Sequence, residues 1–246
     1  MIDASEKSCK ICDGPSPLVG VVDFHKSCLE FGQTYLTLAG IPIYYRRCRQ
    51  CGFLFTTAFD DWSPQGFARH VYNADYIVVD PDYQRVRPEG NVGLVKRLLT
   101  NATRGVRILD FGGGNGTLAG LLRQSGYAAE TYDPFTSDNG KPTTKFDVIT
   151  CFEVFEHTPS PRDTLAEIVS LLHDGGLIII STLLQPSQMG NRDLNWWYIA
   201  PRNGHISIHS RGSLTRLFDG FGFKLVGQAD QNVHIAYASP PSFLSS

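Results

Sequence analysis

The stretch Val106-Arg107-Ile108-Leu109-Asp110-Phe111-Gly112-Gly113-Gly114-Asn115-Gly116 decides how the chain is read. It begins as a short apolar strand, ends on an acid and breaks into glycines. Thr117-Leu118-Ala119-Gly120-Leu121-Leu122 then reads as the start of a helix. A glycine-rich turn between strand and helix lets a ligand approach bare backbone and aims helix N–H groups at it. The spacing is not that of a dinucleotide fingerprint, G-x-G-x-x-G: counted from Gly112, that pattern needs a glycine at 117, where threonine stands. What stands here is Asp-x-Gly-x-Gly-x-Gly, made by Asp110, Gly112, Gly114 and Gly116. The plain alternative is an ordinary strand-to-helix turn that binds nothing.

This motif resembles motif I of the class I S-adenosylmethionine (SAM)-dependent methyltransferases. The resemblance implies an α/β fold with a Rossmann-like sheet, and a cofactor whose cationic sulfonium and amino-acid end suit an acid at the strand tip. A second acid, Asp133, stands at the end of the next expected strand, 127–132. A carboxylate there can accept both hydroxyls of a ribose, and Phe135 is placed to lie against an adenine. Asp133 equally fits a turn aspartate before Pro134. Between Asp133 and Phe146 the chain is too short for the family's usual helix and third strand, so that strand is expected to be short or absent. Backbone around 135–144 is then expected to supply the adenine contacts.

Further along, Phe146-Asp147-Val148-Ile149-Thr150-Cys151 reads as a strand running into Phe152-Glu153-Val154-Phe155-Glu156-His157. This resembles the "E-V-x-E-H" signature that follows strand four in the ubiquinone-biosynthesis O-methyltransferase and sugar C-methyltransferase group. In open α/β sheets ligands sit at the carboxyl ends of strands. The resemblance therefore places Cys151 and Phe152 against the cofactor, and Glu153 and Glu156 at the substrate. His157 is a candidate base because imidazole titrates near neutral pH; bracing of the loop by Glu156 and His157 is the competing role. A helix from Ser160, a tight turn at 174–176, an apolar strand 177–182 and a closing antiparallel hairpin at 223–226 and 233–238 complete the expected sheet. The tail 240–246 reads as frayed.

Two aromatic segments flank this core. Ser63-Pro64 is a helix start, with serine as N-cap and proline at the first helical position. Tyr72 and Tyr76 match a "Tyr-x-x-x-Tyr" cover segment of small-molecule methyltransferases, which makes them cofactor-side candidates or plain core residues. A second helix is expected over 91–99. The insert 185–210 carries Trp196-Trp197-Tyr198 and His205. It resembles the "W-Y … H-x-x-x-x-S" stretch that closes over substrate in related enzymes, so Trp197 and Tyr198 are substrate candidates and His205 a second candidate base. Aromatic packing with bracing histidines is the other reading.

The amino-terminal segment carries a different chemistry. Cys9-Lys10-Ile11-Cys12 and Cys48-Arg49-Gln50-Cys51 are two Cys-x-x-Cys pairs, each followed closely by a glycine. Each reads as a zinc knuckle, and together they resemble a zinc ribbon with a four-thiolate structural Zn²⁺ site. A redox dithiol or free cysteines are the alternatives, but one pair would suffice for a dithiol. Cys28 and Cys151 lack partners at knuckle spacing. The implied organisation is a zinc-ribbon-like module at 1–60, a helical cover segment at 61–105 and a SAM-binding methyltransferase domain at 106–246.

A net charge of −2 gives no general attraction to nucleic acid or anionic membranes. The N-terminus lacks an apolar signal region, and no apolar run approaches the ~20 residues of a membrane span. A cytoplasmic location follows as the expectation. The resemblance implies methyl transfer to an oxygen or carbon of a small metabolite or sugar nucleotide. An RNA methyltransferase gripping its substrate with the zinc module, and a non-catalytic SAM-binding module, are the alternatives; Arg46, Arg47 and Arg49 are the one basic cluster that could serve the first.

Overall fold

Strands buried on both faces need continuous apolar sequence, and Leu177–Ile180 and Ile108–Leu109 supply it at the centre of the larger sheet. The computed structural model describes residues 5–102, 105–135, 140–190, 193–227 and 232–244. In chain order the elements are β1 (Lys7–Ser8), β2 (Pro15–Ser16), β3 (Leu18–Asp23), β4 (Pro42–Arg47), β5 (Leu54–Thr56), α1 (Pro64–His70), α2 (Tyr76–Val79) and α3 (Val86–Leu98). Then follow β6 (Arg107–Phe111), α4 (Thr117–Gln124), β7 (Ala128–Tyr132), β8 (Phe146–Phe152), α5 (Pro161–Ser170) and β9 (Leu172–Ser181). The chain closes with β10 (Ser207–Ile208), α6 (Arg211–Asp219), β11 (Lys224–Gly227) and β12 (Val233–Tyr237).

The chain forms two compact units that interleave in sequence. One comprises residues 1–80, 155–164 and 182–220, the other 81–154, 165–181 and 221–246.

The second unit holds a six-stranded sheet in the order β11-β12-β9-β8-β6-β7. The neighbours β7, β6, β8 and β9 run parallel, and β12 and β11 add an antiparallel hairpin at the far edge. This is the mixed sheet expected of a class I methyltransferase. β7 is its other edge, and no third strand lies outside it among the described residues. Part of the segment expected to replace it, 136–139, lies outside the described residues. Ile108, Val148 and Ile179 from the sheet meet Leu118, Ala119 and Leu122 of α4 in one buried cluster. Gly126 ends α4 as its C′ residue, at φ +90°, with its N–H on the Arg123 carbonyl.

Three boundaries differ from the sequence reading. α3 begins at Val86 and so takes in Pro88, which is harmless because first-turn N–H groups have no helical acceptor. The turn at 174–176 is absorbed into β9 as a wide bulge: Phe146 faces Leu172, yet Val148 already faces Leu177. Gly175, at φ +74°, allows that detour. The tail is also not simply frayed. Ser242–Leu244 makes a 3-10 turn and Phe243 packs on the sheet's core cluster; Ser245 and Ser246 lie outside the described residues.

In the first unit both cysteine pairs sit at hairpin turns, between β1 and β2 and between β4 and β5. The four-stranded sheet β10-β5-β4-β3 shows that the amino-terminal segment does not close alone: Ser207–Ile208 adds the fourth strand. Ile43, Tyr45, Leu54 and Phe59 pack there with Phe67, Ile199 and Ile206. α1 begins as read, with Ser63 Oγ accepting from Gly66 N.

Ser210 does two jobs. Its Oγ accepts from Ser213 N at 3.0 Å to cap α6, and donates to the Cys51 carbonyl at 2.6 Å. Ser210→Ala is expected to lower stability by about 0.5–2 kcal/mol, the usual range for a lost N-cap. The chemical-denaturation midpoint measures this, and an unchanged midpoint would show the cap to be idle.

Candidate functional site

β6 delivers Asp110 to its carboxyl end, and the backbone then folds back over it. Gly112, Gly114 and Gly116 have φ of +72°, +53° and +76°. A Cβ on Gly112 would stand 2.4 Å from Val154 Cγ2, and one on Gly113 would stand 2.2 Å from Asp110 Oδ2. No side chain fits at either position, so the turn presents bare backbone. The Asp-x-Gly-x-Gly-x-Gly spacing does not single out Gly113. The unbroken run Gly112-Gly113-Gly114 is the signal that does.

Asp110 is buried and accepts from Thr150 Oγ1 at 2.9 Å. Burial pushes its carboxyl up to about 7; the Thr150 bond opposes this and the Asp133 charge adds to it. Asp133, at the end of β7, is held by two N–H groups, Gly114 N to Oδ2 at 3.0 Å and Phe135 N to Oδ1 at 2.8 Å. The glycine turn and the second acid are thereby one construction. Phe135 beside them is 40% exposed.

β8 carries Cys151, which is buried, and Phe152, which is half-buried on the sheet's core. Glu153 follows with φ +54°, a left-handed backbone rare outside glycine. Its N–H bonds the Ser181 carbonyl at 3.0 Å, and its carboxylate pairs with Arg87 at 2.5 Å. Strained residues of this kind concentrate at functional sites. Arg87, from the first turn of α3, carries no sequence signal of its own; only the pairing reveals it.

The other candidates gather in the first unit. Glu156 is 1% exposed, and Tyr198 Oη donates to its Oε1 at 2.5 Å. Its carbonyl accepts from Ile206 N and Ser207 N, which fixes the 205–207 segment on it. His205 Nδ1 lies 3.0 Å from the Tyr198 carbonyl. A carbonyl only accepts, so Nδ1 carries the proton and Nε2 is the basic nitrogen. The His157 and His205 rings are 4.8 Å apart, and Tyr72 stands 6.0 Å from His157. Ligand-capable atoms of Glu156, His157 and His205 all lie within 4.8 Å of one another, close enough to share a proton or a cation. Tyr76 packs edge-on to Tyr72, and its hydroxyl is used on Asp80 and the Asn203 carbonyl. Trp197 packs edge-on to Tyr198, with ring centroids 5.4 Å apart.

The four knuckle cysteines converge. Their sulfur atoms lie within 4.8 Å of one another, with Cys9–Cys51 at 3.6 Å and Cys12–Cys48 at 3.5 Å. Tetrahedral Zn²⁺ with bonds of about 2.3 Å sets sulfurs about 3.8 Å apart, so the donor set fits the ion. Backbone N–H groups of Ile11 and Gln50 point at Cys9 and Cys48 sulfur. Cys9 is pulled down to about 5 by the thiol of Cys51, whose own ionisation is pushed up by Cys9. Burial pushes the Cys12 thiol up as well. Cys28 and Cys151 stand outside the cluster.

Comparison with known proteins identifies the family. A family model described as "Methyltransferase domain" matches residues 83–228, more than half of the chain, and the chain belongs to that family. Among curated proteins, the ubiquinone biosynthesis O-methyltransferase of Aeromonas salmonicida is 31% identical over 104 residues, covering 32% of this chain and 44% of that one. The enzyme of the same name from Glaesserella parasuis is 49% identical over 41 residues, 17% of each chain. The chain thus spans less than half the length of these relatives. Among solved structures, an O-methyltransferase family protein from Burkholderia thailandensis gives a TM-score of 0.49 at 15% identity, covering 73% of this chain and 64% of that one. Magnesium protoporphyrin IX methyltransferase from Synechocystis with bound SAH gives 0.45 at 15% identity, covering 64% and 84%. No helix among the described residues is long and apolar enough to cross a membrane.

The raised Asp110 carboxyl has a sign that can be tested. Folding favours its protonated form, so its contribution to stability is complete below about pH 4 and is lost as pH rises through about 7. Asp110→Asn is expected to flatten that part of the stability profile. Thermal unfolding between those limits checks it; identical slopes in both proteins would refute the assignment.

Proposed function

We propose that this protein transfers a methyl group from SAM to an oxygen or carbon atom of a small-molecule acceptor, a metabolite or a sugar nucleotide. The observation that carries the reading is the bare-backbone turn over a buried acid, locked to a second acid. Asp110 would face the cofactor's ammonium group, whose charge favours the ionised carboxylate. Asp133 would take the ribose hydroxyls on its carboxylate. Phe135 would cover the adenine, and the backbone at Cys151 and Phe152 would flank the methionine chain. Arg87, already paired with Glu153, supplies a cation for the cofactor's carboxylate.

When bound, SAM supplies an electrophilic methyl that leaves its sulfur for a nucleophile in line. The chain has to hold the acceptor and take its proton. His205 suits the second role, because its Nδ1 proton is fixed on the Tyr198 carbonyl and Nε2 is then the nitrogen that can receive the acceptor's proton. Tyr198 and Glu156 hold His205 through the 198–205 segment, and His157 lies beside it. Trp197 and Glu153 complete the acceptor candidates. Four cysteinyl sulfurs leave no open position on Zn²⁺, so the metal's role is structural. The acidic balance supports a small-molecule partner over nucleic acid.

Two measurements test this. Calorimetry is expected to show S-adenosylhomocysteine binding to the native chain, and at least about a 10-fold loss in Gly113→Ala, where the added Cβ meets Asp110. No heat with the native chain would end the proposal. Separately, the purified protein is expected to hold one Zn²⁺ per chain, removed by chelation with a fall in melting temperature. Metal-free protein with unaltered melting would rule out the structural zinc.

A further inference from the structure

A groove in the first unit is not used by any role assigned above except that of Trp197. It measures about 560 Å³, inside the range of roughly 300–1,000 Å³ typical of small-molecule sites. Phe31, Tyr35, Trp196 and Trp197 line it, together with the acidic residues Glu30 and Asp193. The other lining residues are amide or apolar, and among the described residues no lysine or arginine lines it.

Three of the rings stand as walls set steeply to one another. Phe31 and Trp197 have centroids 5.1 Å apart at 59°, and Trp196 and Trp197 are 6.4 Å apart at 67°. Phe31 and Tyr35 are 74% and 70% exposed, an unusual state for large rings that pack only for stability. The two acids are not equivalent. Glu30 is paired with Lys26 at 2.8 Å, and Lys26 is also tied to the Trp196 carbonyl, which braces the rim. Asp193 is exposed and makes no ion pair among the described residues.

The faces of aromatic rings are electron-rich, and steep walls of them with a carboxylate nearby attract an organic cation. A phosphate or carboxylate ligand would find no cation among the described lining residues, and a purely apolar one would leave the acids unused. We propose that this groove is a binding site for a small organic ammonium ion, quaternary or protonated, held by Phe31, Trp196 and Trp197 with Asp193 as counter-charge. The proposal shares Trp197 with the acceptor candidates, but binding of the cation needs no cofactor.

The test uses the full chain without cofactor and follows tryptophan fluorescence with saturation-transfer NMR. Choline and tetramethylammonium are the probes, and 3,3-dimethyl-1-butanol is the uncharged isostere of choline. Choline is expected to saturate, with at least about a 10-fold advantage over the isostere. Phe31→Leu keeps apolar bulk but removes a π face; Asp193→Asn removes only charge. Both positions are on the surface, so folding is unaffected, and each variant is expected to weaken choline several-fold. Equal binding of choline and its isostere would make this an apolar groove and overturn the proposal. Absence of saturation by either cation into the high-millimolar range would also overturn it. Loss of S-adenosylhomocysteine binding in calorimetry would bear on the methyl-transfer reading alone.

Discussion

Asp110 and the backbone at Gly112 and Gly113 occupy nearly the same space. A single methyl group at 113 would collide with the carboxylate, and one at 112 would collide with Val154. That closeness is what makes the turn a cradle. Asp110 is buried beneath it, which raises its affinity for a proton, and the turn presents bare backbone where a side chain would clash. Gly114 then ties the turn to Asp133, so two acids from neighbouring strands are fixed by one set of glycines. The parallel pairing of β6 with both β7 and β8 sets where those strands end.

The first unit solves a different problem. Short strands around two cysteine hairpins cannot bury much apolar surface, and small modules of this kind usually need a metal. Here the sheet recruits Ser207–Ile208 as well, and Ser210 ties the second knuckle to a helix cap. The same returning segment carries His205 and rests on the Glu156 backbone. A four-cysteine cluster and a histidine pair are therefore stiffened by one stretch of chain. Tyr198 joins them, donating its hydroxyl to Glu156 and lending its carbonyl to His205.

Much of this was legible beforehand because it is local. Strand, glycine turn, helix and second acid follow one another within the single stretch 106–133, and their chemistry depends on spacing along the chain. Knuckle turns are likewise local, so the four cysteines could be grouped before any fold was known. Simple length argued against a full third strand, and none lies outside β7 among the described residues. Arg87, Gly113 and the groove around Phe31 were not legible. Arg87 acquires meaning only from Glu153, and Phe31 only from Trp197, each a partner distant in the chain. A Gly-Gly turn and a wide bulge use the same residues at 174–176, and only the pairing of β9 with β8 separates them.

Sequence alone determined the class of sheet, the two acids, the glycine turn and the thiolate set, since each is a pattern of short-range geometry that backbone chemistry imposes. Tertiary structure decided which proton His205 carries, which cation meets Glu153, and that the cysteine hairpins share a sheet with the segment holding the histidine. Those depend on contacts between residues far apart in the chain, where packing and burial, not spacing, select the partner.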